Sequence, residues 1–205
     1  MKVLMINGSP RHGGNTSIAL AEMVKVFEKY GVETEIVDIG TKDVHGCIAC
    51  GKCYETGKCV FDDIVNEVAP KFEAADGLVV ASPVYYASPN GTILSFLDRL
   101  FYSTHFDKTM KVGASVAVAR RGGCSATFDV LNKYFTICGM PVASSQYWNS
   151  VHGRLAGEAN EDGEGLQTMR TLAENMTFLM RSIELGKREF GLPAKEPRVS
   201  TNFIK

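Results

Sequence analysis

Apolar and polar residues follow one another along the chain in patterns that predict strands and helices in alternation. Short apolar runs predict buried strands, and a stretch that alternates polar and apolar residues predicts a strand with one wetter face. The predicted strands are, in chain order, 3–6, 33–39, 77–83, 112–119 and 140–144. Between them, apolar residues recur at helical spacing. The predicted helices cover 16–30, 62–75, 93–100, 128–138 and 166–185.

This alternation predicts an α/β fold with a doubly wound parallel sheet, because parallel neighbours need crossover connections that place helices on both faces. With five strands, the flavodoxin-like order 2-1-3-4-5 is the leading candidate. The chain has 205 residues, 45% of them hydrophobic, which fits a single domain. We expect one flavodoxin-like FMN-binding domain over 1–190 and a C-terminal tail over 191–205.

Charge gives no reason to expect nucleic acid or a membrane surface as a partner. Lys and Arg number 22, and Asp and Glu number 23, so the formal charges nearly cancel. The apolar run at the N-terminus meets Asn7-Gly8 too early for a signal peptide or a spanning helix. We therefore expect a cytoplasmic protein whose partners are small molecules or other copies of this chain.

The loop that follows the first strand has the composition of a phosphate site. It lies where a buried strand ends and a helix begins, and backbone N–H groups at a helix start attract anions. Hydroxyl, amide and guanidinium groups surround that position, on Ser9, Arg11, Asn15, Thr16 and Ser17. An ordinary capped helix start is the alternative reading, because Asn, Thr and Ser also cap helices.

Two further loops are predicted to reach the same edge of the sheet, where ligands of such folds bind. The loop after the third strand offers an apolar and aromatic wall for a planar flavin ring. The loop after the fourth strand ends in a glycine pair that permits close backbone approach. The residues concerned are Pro83, Val84, Tyr85, Tyr86, Ser88, Arg121, Gly122 and Gly123.

Four of the six cysteines are crowded into one loop. Cys47, Cys50, Cys53 and Cys59 are separated by two, two and five residues, and the first two gaps match the spacing by which a peptide wraps a [4Fe–4S] cluster. Reduced, redox-active thiols are an equally open reading. Zinc is the weakest, because thiolate zinc sites use paired knuckles separated by a longer span.

The combined motifs resemble the NADPH-dependent FMN reductase and iron–sulfur flavoprotein family of the flavodoxin-like superfamily. They are Gly-Ser-Pro-Arg followed by Asn-Thr-Ser, the Cys-x-x-Cys-x-x-Cys run, Ala-Ser-Pro-Val-Tyr-Tyr and Phe-Leu-Asp-Arg. The resemblance implies FMN, with its phosphate at the first loop and its ring at the other two. It also implies NAD(P)H as a transient substrate and assembly as a homodimer or a dimer of dimers.

These observations together predict an FMN-dependent oxidoreductase. Electrons pass from NAD(P)H, or from a protein donor, through FMN to a small-molecule or protein acceptor, with the chemistry on the cofactor and no protein catalytic base. One alternative is an iron–sulfur flavoprotein that carries electrons through a [4Fe–4S] cluster on the cysteine loop. A second is a redox-sensing flavin-binding module. The acceptor and the choice between NADH and NADPH stay open.

Overall fold

A computed structural model describes residues 1–201 and 203, and it contains one sheet with helices on both faces. Five strands are parallel and follow the order β2-β1-β3-β5-β6, which confirms the predicted doubly wound topology. The short β4 pairs with the end of β3 in the antiparallel sense. The strands are β1 Lys2–Asn7, β2 Glu33–Asp38, β3 Gly77–Tyr85, β4 Ser88–Pro89, β5 Val112–Ala119 and β6 Ser150–His152.

Alternating side chains of the central strands point into two separate apolar layers, as a parallel sheet covered on both faces requires. Val3 and Met5 pack with α1 and α6, whereas Leu4 and Ile6 pack with the other helices. The helices are α1 Asn15–Lys29, α2 Lys52–Thr56, α3 Ile64–Ala74, α4 Gly91–Ser103, α5 Cys124–Thr136 and α6 Gly163–Phe190, with a 3₁₀ turn at Glu158–Glu161.

The hydrophobic pattern misplaced the fifth strand, and it did not predict the short elements α2 and β4. In the predicted segment, 140–144, only Val142 forms a bridge, with Gly113 of β5. The chain then leaves the sheet and returns as β6. Contacts with α6 account for the departure: the Ser145 hydroxyl donates to the Thr168 carbonyl and the Asn175 amide donates to the Ser144 carbonyl.

Helix α6 extends beyond the predicted helix at both ends and stops at Phe190. Asp162 caps its start by accepting a hydrogen bond from the Gly165 N–H. Within the described residues, no helix combines the length and the apolar composition that crossing a membrane requires. The predicted tail includes 202, 204 and 205, which lie outside the described residues.

Candidate functional site

The start of α1 meets the ends of β1 and β3, and its first backbone N–H groups lack a side-chain partner among the described residues. Side chains cap α3, α4 and α6, through Asp63, Asn90 and Asp162. An uncapped helix start that carries no acidic residue in its first turn leaves N–H groups and a positive dipole end for an anion. Asn15, Thr16 and Ser17 therefore do not cap this helix, and α5 likewise starts without a side-chain cap, at Gly123.

Asn7, the first residue of the predicted loop but not one of its predicted ligands, organises the loop from the end of β1. Its amide oxygen accepts from the Ser9 N–H at 3.0 Å, and its amide nitrogen donates to the Ser17 hydroxyl at 3.2 Å and to Asp38 at 2.7 Å. Because Ser17 accepts from Asn7, its own hydroxyl proton is available for a ligand. The Ser9 oxygen accepts from the Arg11 N–H at 3.2 Å.

Gly40 is a second residue that the sequence reading missed. A Cβ built at this position would lie 2.2 Å from the carbonyl carbon and oxygen of Ser9. The segment after β2 therefore presses backbone to backbone against the phosphate loop, and only glycine permits that approach. The shape of the loop thus depends on a residue about thirty positions away in the sequence.

A cleft of about 240 Å³ opens beside this loop. Seven of the predicted cofactor residues line it: Ser9, Arg11, Asn15, Thr16, Pro83, Val84 and Tyr85. Five residues outside the predicted set join them: Val118, Ala119, Arg120, Gly153 and Arg154. Three strand-end loops therefore meet at one edge of the sheet, and the segment after β6 supplies a fourth wall.

The segment after β6 is attached to the phosphate loop by Asn15. The Asn15 amide donates to the Leu155 carbonyl at 2.9 Å, and its oxygen accepts from the Ala159 N–H at 3.2 Å. Glu158 closes the same turn by accepting from the backbone N–H groups of Leu155 at 2.9 Å and Arg154 at 2.6 Å, and these bonds hold its pKa below its usual range. The Arg11 guanidinium lies 3.5 Å from the Arg154 carbonyl oxygen. With Arg120, three arginines thus line the cleft.

The remaining predicted residues lie around the cleft rather than in its lining. Ser88 and Tyr86 belong to the hairpin of β3 and β4, where Tyr86 is fully exposed and has φ 51°. Arg121 and Gly122 are exposed on the loop after β5. Gly123 packs against that hairpin, since a Cβ there would lie 2.8 Å from Val84 and Ala87 atoms. Two of the predicted loops are therefore in direct contact.

The four clustered cysteines line a second, smaller cavity of about 20 Å³, roughly the space of one water molecule. Cys53 is buried on α2, and burial raises the pKa of its thiol. Cys59 is half-buried, whereas Cys47 and Cys50 are exposed. Two sulfurs are thus packed into the fold, and two lie on an exposed segment, 47–50, which we call the exposed arm.

Four thiols around one cavity form the donor set of an iron–sulfur cluster. Within 1–201 and 203, no three His, Cys, Asp or Glu side chains are placed to share a single metal ion. A cluster does not need that geometry, because its thiolates bind different iron atoms. The cavity is too small for a cluster, so the exposed arm with Cys47 and Cys50 has to shift outward to admit one.

Comparison with known proteins assigns this architecture to a family. The family model for NADPH-dependent FMN reductase matches residues 1–154. An iron–sulfur flavoprotein of Methanocaldococcus jannaschii is 33% identical over 192 residues, which cover 90% of this chain and 100% of the relative. The chain belongs to the NADPH-dependent FMN reductase and iron–sulfur flavoprotein family.

A second member of this iron–sulfur flavoprotein family, from Methanosarcina thermophila, is 34% identical over 189 residues, covering 90% of this chain and 97% of the relative. The solved structure of RosB with a bound intermediate superposes with a TM-score of 0.72 at 18% identity, over 100% of this chain and 93% of that one. At that identity the similarity concerns the fold alone. Family membership makes the protein a flavin-dependent oxidoreductase.

One thiol of this family member lies near the cleft without belonging to the cysteine cluster. Cys124 begins α5, and its sulfur lies 3.9 Å from Nε2 of His152. Burial, together with the negative charge of Asp162, raises the pKa of Cys124. Cys124 is therefore held as a neutral thiol, and this pair gives no sign of an activated nucleophile.

Proposed function

We propose that FMN binds in the cleft at the start of α1 and accepts electrons there from NAD(P)H or a protein donor. One observation carries the proposal. Helix α1 begins at Asn15 without a side-chain cap, and it does so where three strand-end loops meet. Bound FMN supplies the atoms that accept a hydride and pass electrons to an acceptor. The part of this chain is to bind, orient and shield it.

The phosphate lies against the N–H groups of α1 in this proposal, with hydroxyl donors from Ser9, Thr16 and Ser17. Arg11 and Arg154, at the mouth of the cleft, add positive charge that favours a dianion. The ring lies along Pro83, Val84 and Tyr85, next to the loop Arg121-Gly122-Gly123. Tyr86 and Ser88 shape the hairpin that carries this wall.

The test compares FMN with riboflavin, which lacks the phosphate, in the wild type and in Ser17→Ala. A hydrogen bond to a charged group contributes about 1.5–3 kcal/mol. We expect Ser17→Ala to weaken FMN binding by roughly tenfold or more and to leave riboflavin binding unchanged, measured by quenching of flavin fluorescence. Failure of the wild-type protein to bind either flavin would contradict the proposal. If Ser17→Ala weakens the binding of FMN and riboflavin equally, Ser17 does not contact the phosphate.

The electron donor is tested separately on the FMN-loaded protein. Anaerobic addition of NADPH or NADH is expected to bleach the flavin absorbance near its visible maximum, and the faster of the two identifies the nucleotide used. If neither nucleotide bleaches a flavin that dithionite does reduce, the donor is a redox protein. Acceptors to be supplied in turn are free flavin, a quinone, a nitro compound and a metal ion.

A second proposal concerns the cysteine cavity, namely that Cys47, Cys50, Cys53 and Cys59 hold a [4Fe–4S] cluster that exchanges electrons with FMN. The shared cavity supports it, and so does the naming of the two relatives as iron–sulfur flavoproteins. Iron and acid-labile sulfide in anaerobically reconstituted protein are the measurement. We expect both in the wild type and neither in Cys53→Ser.

The same variant separates the three functional readings. If Cys53→Ser oxidises NADPH as fast as the wild type, the protein is a reductase and its cysteine site is dispensable for that reaction. If electron transfer to a protein acceptor is lost together with the iron, the protein is an electron carrier. A cysteine loop that holds no iron and forms disulfides on mild oxidation would favour the redox-sensing module.

We further propose a homodimer or a dimer of dimers. The cleft is small for a ligand of this size, since ligand pockets span about 300–1,000 Å³, and a second copy would complete its outer wall. Tyr86, on the hairpin next to Tyr85 of the cleft lining, is a large and fully exposed side chain. Light scattering coupled to size-exclusion chromatography gives the molar mass, and a mass of one chain with FMN bound contradicts the proposal.

A further inference from the structure

Arg99 of α4 is the largest fully buried side chain in the described part of the fold, at 1% exposure. A buried guanidinium is costly unless its donors are satisfied. Here the donors reach several segments at once. Nη1 and Nη2 bind the two oxygens of Asp63 at 2.6 and 2.9 Å, and they also reach the carbonyls of His45 and Phe61 at 3.3 Å each.

The remaining donor of this guanidinium is aimed at the cysteine cavity. Nε of Arg99 donates to the Cys59 sulfur at 3.2 Å, and Arg99 lines the cavity itself. Its guanidinium carbon stacks 4.9 Å from the centre of the Phe61 ring, so the group has little freedom to turn away. The ion-pair partner of Arg99 is Asp63, the residue that caps α3.

Cys59 is also held from the side of its backbone. The Asn66 side chain accepts from the Cys59 N–H at 3.0 Å and donates to the Cys59 carbonyl at 3.0 Å. The sulfur and the backbone of Cys59 are therefore both bonded, as are those of Cys53. This contrasts with Cys47 and Cys50 on the exposed arm.

We propose that Arg99 is a positioning residue of the cysteine site: it fixes the Cys59 sulfur and, through its Nε–H, raises the reduction potential of a cluster held there. This inference rests on the proposed [4Fe–4S] site. A hydrogen bond donated to a ligand sulfur withdraws electron density and favours the reduced state, one of the ways proteins set cluster potentials. Asp63 balances the formal charge from the far edge of the guanidinium, while the Nε–H dipole still points at the sulfur.

Three variants of the full-length, FMN-loaded protein test the assignment after anaerobic reconstitution with iron and sulfide. Arg99→Lys keeps the buried positive charge and removes the Nε–H donor. Arg99→Met removes both. Asp63→Asn removes the balancing negative charge but keeps an oxygen to cap α3. Arg181→Met, far from the cavity on α6, is the matched control. The measurement is the midpoint potential of the cluster from a redox titration followed by electron paramagnetic resonance.

We expect Arg99→Met to lower the midpoint potential by about 59 mV. For one electron, this corresponds to a tenfold decrease in the ratio of reduced to oxidised cluster at a given potential. Arg99→Lys is expected to give a smaller decrease, Asp63→Asn an increase, and Arg181→Met no change. Iron release to a chelator is expected to be roughly tenfold faster in Arg99→Met, the scale on which outer-shell partners act. A purely structural clamp would change iron release in all three variants without opposite shifts in potential.

Each outcome decides a different question. Unchanged potentials, or shifts of the same sign in Arg99→Lys and Asp63→Asn, overturn the assignment of Arg99 and leave the cluster proposal standing. A wild-type protein that holds no iron after reconstitution, while it still binds FMN, overturns the cluster and the role of Arg99 together. If Arg99→Met retains no iron, the other two variants test the assignment. A decrease in potential for Arg99→Lys with an increase for Asp63→Asn supports it, and any other pair of results overturns it.

Discussion

Close backbone contact at a single residue shapes the loop proposed to bind phosphate. Gly40 lies against Ser9 with no room for a methyl group, although neither residue is near the other in sequence. Small-to-large changes in packed positions cost about 1–3 kcal/mol and move the backbone. The loop that we propose for phosphate binding is therefore sensitive to a residue that never touches the ligand.

This sensitivity predicts the effect of Gly40→Ala. We expect the free energy of unfolding to fall by about 1–3 kcal/mol and the dissociation constant for FMN to rise at least roughly tenfold, measured by urea denaturation and by flavin fluorescence. Gly186→Ala is the matched control, because a Cβ there meets open space and alanine favours a helix interior by about 1 kcal/mol. Unchanged FMN binding in Gly40→Ala would count against the proposed phosphate site.

Among the elements, the hairpin of β3 and β4 contains a strained turn. Tyr86 and Ala87 have φ of 51° and 58°, the left-handed values that a two-residue hairpin turn demands and that glycine or asparagine normally supplies. A left-handed residue with a Cβ costs about 1–2 kcal/mol. Because Gly123 packs against this turn, the strained hairpin and the loop after β5 hold each other in position.

Replacing the second turn residue is expected to relieve part of this strain. Ala87→Gly is predicted to raise the free energy of unfolding by about 0.5–1 kcal/mol. This is the cost of a left-handed backbone at Ala87, reduced by the conformational freedom that glycine adds to the unfolded chain. The same change in a helix, Ala126→Gly on the exposed side of α5, is expected to lower it by about 1 kcal/mol. Thermal unfolding measures both, and a decrease for both variants would show that the turn is not strained.

An ion pair joins α1 to α6, the two helices that cover one face of the sheet. Glu22 is 9% exposed, and it binds Arg170 across the helix interface and Lys25 on its own helix. Lys25 and Arg170 hold the pKa of Glu22 below its usual range. A carboxyl with a lowered pKa in the folded state stabilises the fold above its unfolded pKa, about 4.3. That contribution is lost as the pH falls through the folded pKa.

The linkage gives a signed prediction. Arg170→Gln is expected to lower the free energy of unfolding by about 1 kcal/mol at pH 7 and by progressively less as the pH falls below about 4. In a Glu22→Gln background the same replacement is expected to have a small effect that does not depend on pH, because the pair is already broken. Urea titrations at several pH values provide the measurement. A loss that grows on acidification would refute the pairing.

For the whole molecule, ligand binding is coupled to global stability because the cleft draws on loops from every central strand. FMN at 100 times its dissociation constant is expected to add about 2.7 kcal/mol, which for a domain of this size raises Tm by roughly 5–10 °C. Riboflavin at the same concentration is expected to give a clearly smaller rise. Equal shifts from the two flavins would mean that the phosphate adds nothing to binding.

Much of the fold and part of the site could be predicted from the sequence alone. The order of the parallel strands followed from strand–helix alternation, and apolar spacing placed α3 within 62–75. The motifs also placed seven residues that line the cleft. These signals are local: each depends on residues within one turn, one strand or one loop, where spacing directly reflects geometry.

Only the tertiary structure decided the rest. The edge strand lies at β6 because α6 holds the chain near Ser144 and Ser145 away from the sheet. The closeness of Gly40 to Ser9 and the bond from Arg99 to Cys59 likewise join distant parts of the chain. Periodicity reports which face of an element is buried, but not which residue from another element lies against it. The sequence by itself therefore determined the fold, the family and seven residues of the cleft, whereas long-range packing determined which residues of other elements complete the cleft and contact the cysteines.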